Sequence, residues 1–137
     1  MILVSACLLG ENCKYTGGNN RSDKVLEYIQ GEGYIPFCPE QAGGLSTPRA
    51  PSEIRADRVF SIQGDDVTDN FRLGAEKALA ACLVHGITRA ILKEGSPSCG
   101  AHLVYDGTFT DRKIPGMGVT ARLLEEHGIE VISEDDI

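Results

Sequence analysis

The chain has 137 residues, 42% hydrophobic and 24% charged, a balance that suits one compact folded domain and excludes a disordered or fibrous chain. Its formal net charge is -7, and no run of Lys or Arg is long enough to track a phosphate backbone, which speaks against nucleic acid as a partner. The opening MILVSACLLG is apolar but short and lacks a basic start, so neither a signal peptide nor a membrane span is expected, and the expected location is cytoplasmic.

In chain order, ILVSA at 2–6 reads as a buried strand that ends at Cys7 and enters a Gly/Asn-rich loop. Ser22 is placed to cap a helix carrying Val25, Leu26 and Ile29 on one face, with glycines 31 and 33 ending it. YIPFC at 34–38 is the second strand. Pro36 cannot donate to a ladder, which assigns this strand to an edge. Residues 39–55 read as loop from their prolines and glycines, and RVFSIQGDDVT at 58–68 as a small hairpin turning at Gly64-Asp65. Such a long irregular stretch in a compact domain is often functional.

Thr68 is expected to cap the clearest helix, in which Phe71, Ala75, Ala78, Leu79 and Cys82 recur at helical spacing until Gly86 stops it. TRAILK at 88–93 is the third strand, and HLVYDGTFTDRKI is an excursion with a turn at Asp106-Gly107. GVTARLLEEHG forms the last helix and leads into a fourth strand, IEVIS. Strands alternating with helices predict a single α/β domain over residues 1–137, three-layered, Rossmann-like or flavodoxin-like, with a short, mostly parallel sheet. With the second strand at an edge, the simplest order is 2-1-3-4. The chain then reverses between strands one and three, where open α/β sheets bind ligands beyond the carboxyl ends of their strands.

Five cysteines, at 7, 13, 38, 82 and 99, are many for a chain without an export signal. In a reducing compartment such thiols bind metal or do catalysis more often than they form disulfides. Cys7 ends the first strand, Cys38 the second, and Cys99 lies just past the third, so three thiols converge on one edge of the sheet. No C-x-x-C pair of the kind zinc sites use is present, and three thiolates without an obvious fourth ligand suit an iron–sulfur cluster with one open iron. Cys13 is either that fourth ligand or a loop cysteine beside the site. Cys82 falls on the apolar stripe of its helix and reads as core.

Other groups gather near these thiols. Glu40 follows Cys38 by two residues, and Lys93, Ser96 and Ser98 stand in KEGSPSCG next to Cys99, offering a carboxylate, a cation and two hydroxyls. Arg49 lies between prolines and serves either an anion or its own loop. His85, His102 and His127 have no metal-like spacing and are read as surface residues.

The blocks SACLLGENCKYTGG, PFCPEQAGGLSTPRAPSEI, GDDVTDNFRLGAEKAL and LKEGSPSCG resemble, in order and over nearly the whole chain, the bacterial thiouracil desulfidase family. The resemblance implies a 4Fe–4S cluster held by Cys7, Cys38 and Cys99 with one iron free of protein ligands, and a chemistry that uses Glu40 and either Ser96 or Ser98. Cys13 is not required by the family pattern. Lys14 and Thr16 stand where the family usually has arginine and aspartate, in a loop connected with substrate choice. Larger relatives add a second domain and act on thiolated tRNA; an acidic chain of this size fits a small free thiolated base better.

The implied reaction is a non-redox desulfuration, giving uracil and hydrogen sulfide from 4-thiouracil, with Glu40 as general base toward water and a serine positioning it. No redox partner is needed. The alternative readings are a non-catalytic metal or iron–sulfur module, such as a sensor or sulfur carrier, and a desulfidase acting on thiolated tRNA. A thiol-redox protein is the weakest reading, because no C-x-x-C can form a reversible pair.

Overall fold

The computed structural model describes residues 1–137. Four strands, β1 (Ile2–Ser5), β2 (Tyr34–Phe37), β5 (Arg89–Leu92) and β8 (Glu130–Ser133), form a parallel sheet in the order β2-β1-β5-β8, the order expected from the edge proline. Pro36 stands opposite Val4 in the β1–β2 register, and its missing N–H is harmless there because no strand lies beyond β2.

Alternation along the strands divides the core. Leu3, Ala90 and Leu92 face one way and pack with Ala78 and Cys82 of α3 (Thr68–His85) and with Ala121 and Leu124 of α4 (Val119–Glu126). Ile2, Val4 and Ile91 face the other way onto Val25 and Ile29 at α1 (Asp23–Tyr28) and Leu8. The result is the three-layer arrangement expected, with each fully buried Leu, Ile or Val stabilising by about 1.5–3 kcal/mol relative to exposure. Ser22 caps α1 as expected, accepting from the Val25 N–H at 3.3 Å. Cys82 is 1% exposed within the core.

Three local expectations change. Thr68 does not cap α3. Its hydroxyl accepts from the Val59 N–H at 2.8 Å, and Asp66 Oδ1 accepts from the Thr68 N–H at 3.0 Å in its place. The stretch 39–55 is not all loop: it holds the short helix α2 (Pro39–Ala42) and a strand, β3 (Ser52–Arg55). β3 pairs antiparallel with β4 (Arg58–Ser61), so the hairpin reverses at Ala56-Asp57. The turn at Gly64 exists, with the Ser61 N–H donating to the Asp65 carbonyl at 2.9 Å, but it only finishes β4. Four residues among prolines are too few to show a period. The later excursion is a second hairpin, β6 (Leu103–Tyr105) against β7 (Lys113–Pro115), joined by a loop that begins at Asp106-Gly107. No helix is long and apolar enough to cross a membrane.

α2 docks on α3 through two glycines. A Cβ on Gly43 would stand 2.0 Å from the Asn70 carbonyl oxygen, and one on Gly74 would stand 1.9 Å from that of Pro39. Only glycine permits so close an approach of two backbones.

Candidate active site

Three of the four parallel strands, β2, β1 and β5, each deliver one element of the site at the carboxyl end. β1 runs straight into a turn of 3-10 helix, Ala6–Leu9, on which Cys7 sits. β2 ends at Cys38, which is the N-cap of α2, and α2 in turn carries Glu40. After β5 the chain passes through Lys93 and Glu94 into the Ser96–Gly100 turn, closed by the Gly100 N–H donating to the Ser96 carbonyl at 2.9 Å. α4 is seated on this turn: the N–H groups of Val119 and Thr120 donate to the carbonyls of Pro97 and Ser98, both at 2.9 Å. The first amides of the helix thus find acceptors in the stretch that holds Cys99.

These ends open on one cavity of about 440 Å³. Cys7, Cys13, Cys38 and Cys99 line it together with Glu40, Arg49, Lys93 and Ser96. The two hairpins and the Cys13 loop form its outer wall, with Tyr15, Glu53, Ile62, Tyr105 and Phe109. The size suits a small ligand.

All five cysteines are free. The thiols of Cys7 and Cys38 are both drawn down from their ordinary range by the Cys13 thiol, against the effect of burial. Asn20 assists at Cys7, while the Gln41 backbone N–H and the Arg49 charge assist at Cys38, which falls to about 6. Cys13 is pushed up by the same two neighbours, Cys38 first. Cys13 is therefore the thiol of the three that keeps its proton, and the Cys38 Sγ lies 3.7 Å from the Cys13 carbonyl oxygen. Burial holds Cys99 above the usual range, with Ser5 opposing. Thiols that ionise readily suit iron ligation. No three His, Cys, Asp or Glu side chains are drawn close enough to share a single metal ion; an iron–sulfur cluster takes each thiolate on a different iron, and Cys7, Cys38 and Cys99 all line the cavity.

Glu40 is held above the usual carboxylate range by burial, which outweighs the opposing Arg49 charge. The Arg49–Glu40 pair spans 3.4 Å, and the Arg49 side chain is only 6% exposed. Its guanidinium also donates to the carbonyl of Cys13 at 2.8 Å and to that of Ser46 at 3.2 Å. Arg49 therefore ties the Cys13 loop to α2, the role of a loop anchor, while also lining the cavity.

The two serines part company. Ser96 Oγ accepts from the N–H groups of Ser98 and Cys99 at 3.1 and 3.0 Å, which leaves its own proton free, and it lines the cavity. Ser98 is fully buried, its hydroxyl bonded to that of Thr120 at 2.8 Å. Lys93 Nζ pairs with Glu134 at 2.8 Å and donates to the Glu94 carbonyl at 2.9 Å, so its charge is held at the cavity edge. All three histidines are exposed; His102 pairs with Asp136 at 2.7 Å.

Two buried carboxylates escaped the sequence reading. Glu94 accepts from the N–H groups of His102 and Leu103 at 2.8 and 2.9 Å, hydrogen bonds that bring its carboxyl below the usual range despite burial. Glu53 accepts from those of Gly107 and Phe109. Both lie inside the quoted blocks, but their backbone partners are distant or irregular in sequence.

A parallel α/β domain with thiols and a buried carboxylate at its strand ends falls in the class of open α/β proteins that bind ligands beyond the carboxyl ends of their strands. The model of the 2-thiouracil desulfurase family matches residues 2–136, and the chain belongs to that family. It is 42% identical over 147 aligned positions to the uncharacterized protein YbbK of Bacillus subtilis (strain 168), covering 100% of this chain and 97% of that one. Among solved structures it is similar to the [4Fe-4S]-dependent thiouracil desulfidase TudS, with a TM-score of 0.94 and 48% identity, covering 99% of this chain and 91% of that one.

Proposed function

We propose that the chain is an iron–sulfur-dependent desulfidase for a small thiolated pyrimidine such as 4-thiouracil, converting it with water to uracil and hydrogen sulfide. The observation that carries this reading is the meeting of Cys7, Cys38 and Cys99 with the buried Glu40 on one cavity. Family membership and the likeness to TudS support it. Cys7, Cys38 and Cys99 would hold a 4Fe–4S cluster, with no protein ligand on its fourth iron. When bound, such a cluster would supply a Lewis acid able to polarise a thiocarbonyl.

The remaining work falls to side chains of this chain. Glu40, kept basic by burial, takes a proton from water as its oxygen attacks the carbon bearing sulfur, and returns a proton as the sulfur leaves. Arg49 fixes the carboxylate through the 3.4 Å contact. Ser96 is the serine with a free hydroxyl at the cavity and orients that water; Ser98, bonded to Thr120, is assigned to the core. Lys93 offsets the negative charge of the thiolates from the cavity edge. Water's oxygen replaces the sulfur and no electrons are transferred overall, so no redox partner is required.

The test is anaerobic reconstitution followed by incubation with 4-thiouracil, without reductant or nucleotide. Formation of uracil and sulfide in equal amounts is expected. A reconstituted protein that leaves 4-thiouracil intact, or one equally active on thiolated tRNA, would overturn the reading.

A further inference from the structure

The β3–β4 and β6–β7 hairpins are joined at the cavity wall by one buried carboxylate. Glu53, on β3, is 8% exposed. Its Oε1 accepts from the Gly107 N–H at 2.9 Å and the Phe109 N–H at 3.1 Å. On the same strand, Arg55 Nε donates to the Gly107 carbonyl at 2.7 Å, and its guanidinium lies over the Phe109 ring, 5.8 Å from the centroid. The loop fits without slack: a Cβ on Gly107 would stand 2.7 Å from the Ile54 carbonyl oxygen. Phe109 has a φ of 57°, a left-handed backbone that residues with a side chain rarely adopt, so the loop depends on these ties to hold it.

The second oxygen, Oε2, takes no part. No protein group donates to it, yet no buried side-chain polar atom in the chain lacks a partner, so Oε2 is open, and Glu53 lines the cavity. A carboxylate fixed at one oxygen and open at the other is a preorganised acceptor for a donor on a bound ligand. Phe109 and Tyr105 line the same wall, which gives it aromatic character suited to a flat ring.

Resting on the desulfidase reading, we propose that Glu53 is a specificity-determining residue: Oε1 fastens the Phe109 loop while Oε2 accepts a ring N–H of a heterocyclic thione. Thiouracils carry two such N–H groups. The substrates selected are then cyclic thioamides with a free ring N–H, and N-alkylated rings are disfavoured.

The experiment pairs Glu53→Gln with N1-methyl- and N3-methyl-4-thiouracil. A Gln can keep its carbonyl oxygen on the two backbone N–H groups while presenting NH2, a donor, where Oε2 accepts. The reconstituted variant should keep its cluster absorption and the hydrogen-exchange protection of the Gly107 and Phe109 amides. KM for 4-thiouracil should rise roughly 10- to 100-fold, the worth of a charge-assisted hydrogen bond, with a much smaller change in kcat. The wild type should disfavour one of the two methylated substrates by a similar factor, and Glu53→Gln should erase that difference. An unchanged KM, or a wild type indifferent to both methyl groups, overturns the assignment of Glu53 alone. A raised KM accompanied by loss of amide protection reduces Glu53 to loop support and likewise overturns it. A wild type inert toward 4-thiouracil itself defeats the desulfidase reading, and the role of Glu53 with it.

Discussion

Replacing Gly74 by Ala tests how α2, the helix that carries Glu40, is positioned. The new Cβ would stand 1.9 Å from the Pro39 carbonyl oxygen and 2.8 Å from its carbon, whereas carbon and oxygen make ordinary contact near 3.5 Å. Either α2 or α3 must give way by about 1.5 Å. α3 is anchored along its length by Phe71, Ala75, Ala78 and Cys82 in the core, while α2 is a four-residue turn, so α2 moves and takes Cys38 and Glu40 with it. Overpacking of this kind costs about 1–3 kcal/mol, which lowers Tm by roughly 4–12 °C for a domain of this size. A displacement near 1 Å of a positioned catalytic group costs about 100-fold in rate. The assay is thermal melting, cluster absorption per chain after anaerobic reconstitution, and kcat/KM for 4-thiouracil. Gly86→Ala is the control: Gly86 caps α3 with φ 63° and has nothing within 4 Å of a built Cβ, so it should lose about 1 kcal/mol of stability with activity per folded protein intact. If Gly74→Ala melts and turns over like the wild type, or loses activity only in step with the control, the backbone contact does not position α2.

Glu40→Gln should keep the cluster and the cluster's spectral response to 4-thiouracil while turnover falls roughly 100- to 10,000-fold; full turnover would remove Glu40 from the mechanism, and loss of the cluster would make it a support of the Cys38 loop. Changing Cys7, Cys38 or Cys99 to Ala should abolish cluster absorption and the expected content of about four irons per chain, whereas Cys82→Ala should leave both. A Cys13→Ala protein that lost the cluster while Cys38→Ala retained it would refute the ligand set. The His102–Asp136 pair makes stability depend on pH. Asp136 raises the pKa of His102, so its stabilisation is fully present below the unfolded pKa of about 6.5 and is lost as pH rises through the higher folded value. The Ser133 N–H and then His102 lower the pKa of Asp136, so its contribution is lost as acid takes the pH down through the folded value. Urea titrations should show His102→Gln less stable than the wild type at pH 6 and equal to it at pH 9. The gap should stay within about 1 kcal/mol because the pair is partly exposed; an equal gap at both pH values would refute it.

The order of the parallel sheet was legible in the sequence because one residue decided it. Pro36 cannot donate, so β2 had to lie at the rim, and the apolar runs before Cys7 and Lys93 could only be central strands. The thiols at three strand ends followed from the same reading, since a parallel sheet puts all its carboxyl ends on one side. Contacts between residues far apart in sequence were decided only in three dimensions. Ser96 and Ser98 are equivalent by position and type, and they separate only because α4 packs on the turn and brings Thr120 to Ser98. Arg49 looked like a loop anchor; folding set it between Glu40 and the Cys13 carbonyl. β3 was hidden because four residues among prolines show no period, and a strand of that length exists only through its partner. Local chemistry is written residue by residue and can be read along the chain. Which oxygen faces a cavity and which thiol touches another depend on packing between elements, which no local pattern encodes.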